Sequence, residues 1–536
     1  MSRPNAITRS PSCCPSPSRR TRSPDAADVS TSVSFARERL DTPTSNAALM
    51  RKYDAVAYAA KSNALSHPDH MAVVATLFGL DPADVATCRV LELGCSDGAN
   101  LLPMAASLPD ASFVGCDLSP RAIAAAQSAV AELGLSNVTL FEGDLSAMPE
   151  TLGDFDYMIA HGVYSWVPAT VRDALFALAR RRLKRNGILF VSYNVYPGCH
   201  VRKAVWESLH LHVERIEGAS ARLDAARAFA AALAEPGTTQ NPIDALPRHE
   251  FRQVTQITDS ALYHDDLAEP NDPVYFHEFA AHAARYDLRF VAEAKLSMTA
   301  ADTSPAMQRF LAGCDRLERE QLLDLAQLRR FRQSLLSRGE SATGFAIAPE
   351  RVALMRIGAS VPLLRAAAEG KPLMDPGAPG APAGDEAKAL QSLFAWMIAI
   401  APETLPISEI TQRLAWSADT PRSLEAILTD ACVRGSLRAT LRPPALVALA
   451  GDRPKASAFA RWQAGRGTAV TNLQHETMQL RDENALRLLA LLDGSRTRGE
   501  LTTVMADALP GWEQPRVAQR VDEYLAQFGK LALLVS

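Results

Sequence analysis

An α/β fold built on a parallel sheet is predicted for the first part of this chain, and three observations predict it. From Tyr53 to about residue 200, strand patterns alternate with helix patterns, as expected for parallel strands joined by crossover helices. The stretch "VLELGCSDGAN" at residues 90–100 puts a glycine-bearing turn at the tip of the first strand. Beyond a Pro/Gly/Ala stretch at 371–386, two segments each run helix, helix, helix, strand, which suggests winged-helix-like units. The 536 residues exceed what one core normally holds, so several domains are expected.

The elements follow in order. Residues 1–45 are rich in Ser, Pro and Arg without an apolar segment, and read as a disordered tail rather than a signal peptide. The α/β pattern occupies 46–202, with strands at Arg89–Leu93, Ser112–Cys116, Val138–Phe141, Phe155–Ala160 and Gly187–Tyr193. After the second strand, Ser119 suits an N-cap, Pro120 the first helical turn and Gly134 the helix end. Ile123, Ala126, Val130 and Leu133 fall on one face of that helix. A further helix presents Val171, Leu175 and Leu178, and an Asn186-Gly187 turn leads into the fifth strand. Residues 203–302 read as mostly helical with a strand near Arg289–Ala294, and 303–370 as a helical connector. A linker over 371–386, a winged-helix-like unit over 387–450 and a C-terminal winged-helix domain over 451–536 complete the chain.

Composition narrows the function classes. A net charge of −4, with basic and acidic residues balanced in both C-terminal segments, argues against a nucleic-acid partner. No apolar run approaches the roughly 20 residues that span a bilayer. The eight cysteines form no CxxC pair, so buried free thiols and a cytoplasmic location are expected. His277 and His282 lack Cys or Asp partners at metal spacing, and no metal site is expected.

The turn at residues 92–98 identifies a cofactor by what surrounds it. A dinucleotide loop wants G-x-G-x-x-G, and the residues after Gly94 are Cys95, Ser96, Asp97 and Gly98. Glu92 at the strand tip would also repel a pyrophosphate. S-adenosylmethionine (SAM) carries no phosphate, and its sulfonium and α-ammonium favour a nearby carboxylate. Asp117, before Leu118, ends the second strand, where it can accept the ribose hydroxyls. Asp144, before Leu145, follows the third strand, where it can accept the adenine amino group. Each alone could merely cap a helix; three carboxylates at successive strand ends favour SAM. Ser96 replaces an expected glycine, which costs about 1–2 kcal/mol if the turn needs a positive φ there.

With "ELGCSDG" and "VGCDLSP", the chain resembles the class I SAM-dependent methyltransferases, a Rossmann-like sheet with helices on both faces. The stretches "SHPDHMAVVATLFGLDP", "AHGVYSWVP", "VSYNVYPGCH", "NDPVYFHEFAAHA" and "RRFRQSLLSR" make it similar to a narrower family. These are the bacterial protein-lysine methyltransferase-like proteins with a methyltransferase regulatory domain, which include enzymes that methylate rickettsial outer membrane protein B. The resemblance covers nearly everything after residue 50 and implies a regulatory domain over 203–302. It also implies SAM as cofactor, a protein lysine as acceptor, and an N-terminal segment with Tyr53 and Tyr58 folded over the cofactor. A homodimer is compatible with it.

The fourth strand ends in "IAHGVYSWVP" rather than the Asn/Asp-Pro-Pro-aromatic pattern of DNA amino methyltransferases, which counts against a nucleobase acceptor. His161 is expected at the cofactor, and Tyr164, Tyr193 and His161 are the candidate catalytic residues, the tyrosines orienting an amine. Trp166, Asn194, Tyr196 and His200 lie on the same rim, though the aromatic ones equally suit lid packing. The cofactor set is then Glu92, Gly94, Cys95, Asp97, Gly98, Asp117, Leu118, Asp144, Leu145 and His161. A dedicated general base is optional, because a lysine proton can leave through water. A small-molecule methyltransferase and a non-catalytic SAM-binding regulator are the alternative readings.

Overall fold

The computed structural model describes residues 56, 60–236, 245–299, 303–339, 345–374, 384–414, 416 and 422–535. The expected tail over 1–45, Tyr53, Tyr58 and much of the linker over 371–386 lie outside them. Five parallel strands follow the predicted order: β1 (Arg89–Leu93), β2 (Ser112–Asp117), β3 (Val138–Glu142), β4 (Phe155–Ala160) and β5 (Leu183–Asn194). Strand β5 begins earlier than predicted, so Asn186-Gly187 is part of the strand and not a turn. The register opposite β4 shifts between Phe155 and Tyr157. Gly187 permits this crowding, since a Cβ there would lie 2.7 Å from Leu183 and 3.0 Å from the Asp156 carbonyl oxygen.

Two more strands complete the sheet, β6 (Arg289–Glu293) and β7 (Phe331–Ser337), in the order β3-β2-β1-β4-β5-β7-β6. Strand β7 runs antiparallel to both its neighbours. It corrects the expectation of a helical connector over 303–370. The signal was hidden by Arg332, a charged residue at a core position: its side chain is fully buried and pairs with Glu293 at 2.6 Å, Asp324 at 2.8 Å and Glu320 at 2.9 Å.

The helix Pro120–Leu133 is capped as its sequence requires. Ser119 accepts the Ala122 N–H at 3.1 Å, and Gly134 leaves the helix at φ 65°. Ile123 and Ala126 are buried, while Val130 and Leu133 pack beside Phe459 of the C-terminal domain. Helices Cys199–Val213, Ala219–Ala234 and Ala245–Gln256 form a separate small core around Val205, Leu223 and Val254. A π-helical turn, Leu262–Asp266, follows them.

The expected unit over 387–450 has a three-stranded antiparallel sheet in which β8 (Arg356–Ala359) lies between β9 (Thr404–Pro406) and β10 (Leu437–Thr440). Its central strand therefore comes from before the linker, and a boundary at 387 cuts through one sheet. Ile357, Leu393 and Leu428 share a core with Leu77 and Phe190 of the α/β domain. In the C-terminal domain, the hairpin β11 (Ala469–Thr471) and β12 (Thr477–Gln479) forms a wing beside helices Glu483–Leu491, Arg498–Ala506 and Gln514–Lys530. Among the described residues, no helix is long and apolar enough to cross a membrane, and no cluster of three or more His, Cys, Asp or Glu could hold a metal.

Candidate active site

A cavity of about 1350 Å³ opens at the carboxyl ends of the parallel strands. Its walls come from the loops after β1 to β4, from β5, from the segment around the π-helical turn, and from the wing. Glu92, Gly94, Cys95, Asp97, Asp117, Leu118, Asp144, Leu145 and His161 all line it, so the structure brings these candidates together. Gly98 does not line the cavity; at φ 80° it turns the chain into the helix Leu101–Ser107, and a Cβ there would meet Leu102 at 2.8 Å.

The loop after β1 is a tight turn whose N–H groups are paired. Gly94 and Cys95 both donate to the Cys116 carbonyl, at 2.8 and 3.0 Å. Gly94 sits at φ 72°, and a Cβ there would come 2.9 Å from Val163. Ser96 adopts φ 49°, so the left-handed conformation is required of a non-glycine residue. The cost of about 1–2 kcal/mol is partly offset by its N–H, which donates to Asp117 Oδ2 at 2.9 Å. Asp117 Oδ1 accepts the Ser119 N–H, also at 2.9 Å, and the two bonds pin the carboxylate on the cavity wall. Asp144 Oδ1 accepts the Ser146 N–H at 2.8 Å, so this residue caps a short turn and lines the cavity at once.

Glu92 is the residue whose surroundings most require a ligand. It is 3% exposed, Oε1 accepts from Asn100 Nδ2 at 2.7 Å, and Oε2 has no hydrogen-bond partner. Burial pushes its carboxyl up to about 8, with Asp117 and Asp97 adding to the rise against the Asn100 bond. A cation supplies the missing partner, and SAM has two cationic groups. Carboxylates at β1 and β2 with apolar Leu118 and Leu145 therefore fit SAM. The pH sign follows from linkage. Neutral Glu92 contributes stability that is full below the ordinary carboxyl range and is lost as pH rises through about 8. Without cofactor, Glu92→Gln should gain on the native protein by about 1.4 kcal/mol per pH unit across that interval. Denaturant titrations at several pH values read the difference, and parallel curves would contradict it.

Asn100 joins this carboxylate to the rest of the cavity. Its Oδ1 accepts the Asn63 N–H at 2.8 Å and bonds His475 Nε2 at 2.9 Å. Burial holds His475 well below the usual histidine range, so its neutral ring donates from Nε2. His161 Nδ1 lies 2.8 Å from Ser192 Oγ, which also accepts the Gly162 N–H at 2.8 Å, and Asn63 Nδ2 lies 3.4 Å from His161 Nε2. Burial lowers His161 to about 4, so it is neutral at physiological pH.

The two catalytic tyrosines are corrected by their placement. Tyr193 is 1% exposed, bonds Ser334 Oγ at 2.9 Å and stacks on Phe279 with ring centres 3.8 Å apart. Side chains alternate along a strand, so Ser192 and Asn194 line the cavity while Tyr193 points to the opposite face. Tyr164 is 2% exposed, and its hydroxyl bonds His282 Nδ1 at 2.8 Å among Phe176 and Phe279. Neither lines the cavity. Tyr164→Phe and Tyr193→Phe should each lose about 1 kcal/mol of stability and leave kcat unchanged; a large fall in kcat at full stability would return them to the site. Tyr196 and His200 stack on each other at 4.2 Å outside the cavity, whereas Trp166 and Asn194 line it. Asn63, Asn100, Ser192, His475 and Asp265 also line the cavity, and of these only Ser192 carries a signal in the sequence, its alternation with Asn194 along β5.

Fold and site together define a methyltransferase-type domain whose cavity fits SAM. Residues 90–187 match the family "Methyltransferase domain", 258–338 the "Predicted methyltransferase regulatory domain" and 452–511 the "PKMT, C-terminal winged helix domain". An uncharacterized protein of Rickettsia prowazekii is 31% identical over 44% of this chain and 94% of its own length, and this chain belongs to its family. A second R. prowazekii protein is 34% identical over 53% of this chain, and the chain spans only 52% of that relative. The structure of PKMT2 from Rickettsia typhi in complex with AdoHcy aligns with 89% of this chain and 100% of its own, at TM-score 0.75 and 22% identity. That likeness establishes a shared fold.

Proposed function

We propose that the protein transfers methyl groups from SAM to lysine side chains of another protein. The observation that carries this reading is the composition of the cavity wall. Besides the cofactor residues, the wall includes Asp265, Arg330 and Phe331 of the regulatory region, and the wing adds His475 and Glu476. So many accessory segments at one cavity suit a large acceptor better than a small one. The designation PKMT, protein lysine methyltransferase, of the matching winged-helix family and of the rickettsial structure supports the same acceptor.

Bound SAM would supply an electrophilic methyl group, which an amine lone pair attacks in line as the S–CH3 bond breaks and S-adenosylhomocysteine leaves. The chain's own residues hold and orient. Glu92 would face the cofactor's cationic end, Asp117 its ribose, and Asp144 with Leu145 its adenine. Neutral His161, fixed by Ser192 and Asn63, would pack against the cofactor edge without adding a competing charge. With its pKa near 4, it is too weak a base for a lysine ammonium of about 10.4. Proton removal is then left to water, and positioning in a desolvated site carries most of the rate. The acceptor assignment is tested by complete hydrolysis of protein labelled from methyl-labelled SAM. Label in methylated lysines is expected; label in another residue, or only in small molecules, would contradict the reading.

A further inference from the structure

We propose that Asp265 is the docking point for the cationic amine of the acceptor, so that the regulatory region itself selects an ammonium-bearing side chain. This deepens the lysine reading above and rests on it. Asp265 lies on the π-helical turn Leu262–Asp266, a geometry that recurs at functional sites. The turn sends its neighbours to structural partners. His264 Nε2 lies 2.8 Å from the Val56 carbonyl oxygen, and Asp266 Oδ1 accepts from Trp206 Nε1 at 2.8 Å and pairs with Arg202. Asp265 lines the cavity, as His264 does, but among the described residues no ion pair engages its carboxylate.

Among the described residues its carboxylate forms no ion pair of its own, although the Arg202 charge is felt there. Arg202, the nearest guanidinium on the same wall, is engaged by Asp266 and, at 3.1 Å, by Glu250. Arg330 is held by Glu250 at 2.9 Å. Among the described residues no basic side chain ion-pairs with Asp265. Burial, and then Asp266 beside it, push the carboxyl up to about 6 against the pull of Arg202, which still leaves it ionised at neutral pH.

A short chain of hydrogen bonds ties its backbone to β5. Asn271 Nδ2 donates to the Asp265 carbonyl at 3.3 Å, and Asn194 Nδ2 donates to Asn271 Oδ1 at 2.8 Å. Asn194 ends β5, two residues beyond Ser192, which holds His161. Asp265 is thereby anchored to the carboxyl end of β5, beside the strand that carries His161, and away from the Glu92 carboxylate at β1. The cavity thus presents one carboxylate for the cofactor's cation and a second for the acceptor's. The indole of Trp206, also on the wall, can add cation–π attraction.

The test uses the full chain and two series of SAM-like probes. In one, a nitrogen replacing the sulfur carries an aminoalkyl chain of two to four methylenes; in the other, the terminal amine is a hydroxyl. Titration calorimetry should show the best amine probe binding at least 10-fold tighter than its hydroxyl twin. Asp265→Asn should erase that preference, Asp265→Glu should retain much of it, and all three proteins should bind S-adenosylhomocysteine equally, which shows the variants folded. No preference in the native protein, or a preference that survives Asp265→Asn, would overturn the inference. The lysine reading fails separately, in the hydrolysis experiment.

Discussion

Asp117→Ala is expected to lower SAM affinity by roughly 100- to 10,000-fold while the protein remains folded. The carboxylate is pinned by the N–H groups of Ser96 and Ser119, so its direction is set before any ligand arrives. Two charge-assisted bonds to ribose hydroxyls, at about 1.5–3 kcal/mol each, account for that range. The variant also frees the Ser96 N–H in a turn already strained at φ 49°. Asp117→Asn separates the two effects, because it keeps an acceptor for one N–H without the charge. Calorimetric titration with SAM reads both variants. Unchanged affinity in the alanine variant would remove Asp117 from the cofactor site and the ribose placement with it.

Arg332→Met is the second large effect, and it falls on stability. Arg332 reaches three carboxylates from a fully buried position, with its guanidinium over the Phe276 ring at 4.2 Å. Removing one partner of a buried ion pair costs about 3–5 kcal/mol, since the remaining charges stay desolvated. Arg329 still holds Asp324 at 3.3 Å and Glu320 at 3.5 Å, but Glu293 Oε1 loses its buried counter-ion and keeps only the Ser334 hydroxyl. Arg332→Lys should lose nearly as much, because an ammonium cannot reproduce the fork to carboxylates on two sides. Denaturant midpoints of both variants check this; a loss under 1 kcal/mol would mean that water or rearrangement already compensates the cluster.

Arg332 also explains what the sequence could and could not disclose. Strands β1 to β4 were legible almost to the residue, because each is a short apolar run bounded by turn residues. The carboxylates at the ends of β1, β2 and β3 were legible for the same reason: a strand end is a fixed place in the sheet. Strand β7 was not, since "FRQSLLS" buries a charge whose three partners come from β6 and the helix Arg316–Gln327. The tyrosines failed differently. The pattern placed Tyr193 in the right strand, but period two offers two faces, and only packing against Phe279 decides which one meets the cavity. Asp265 and His475 lie far from the cofactor loop in sequence, and tertiary folding alone brings them to it. The wing was recognised as a unit, yet its bond to Asn100, which ties it to Glu92, depends on a docking that no local pattern encodes.

The most direct measurement is transfer of labelled methyl groups from SAM to proteins in a lysate of the cells that make this chain, with Asp117→Ala run alongside. Discrete labelled protein bands should appear with the native chain and vanish with the variant. Label confined to small molecules, or bands of equal strength with Asp117→Ala, would contradict it.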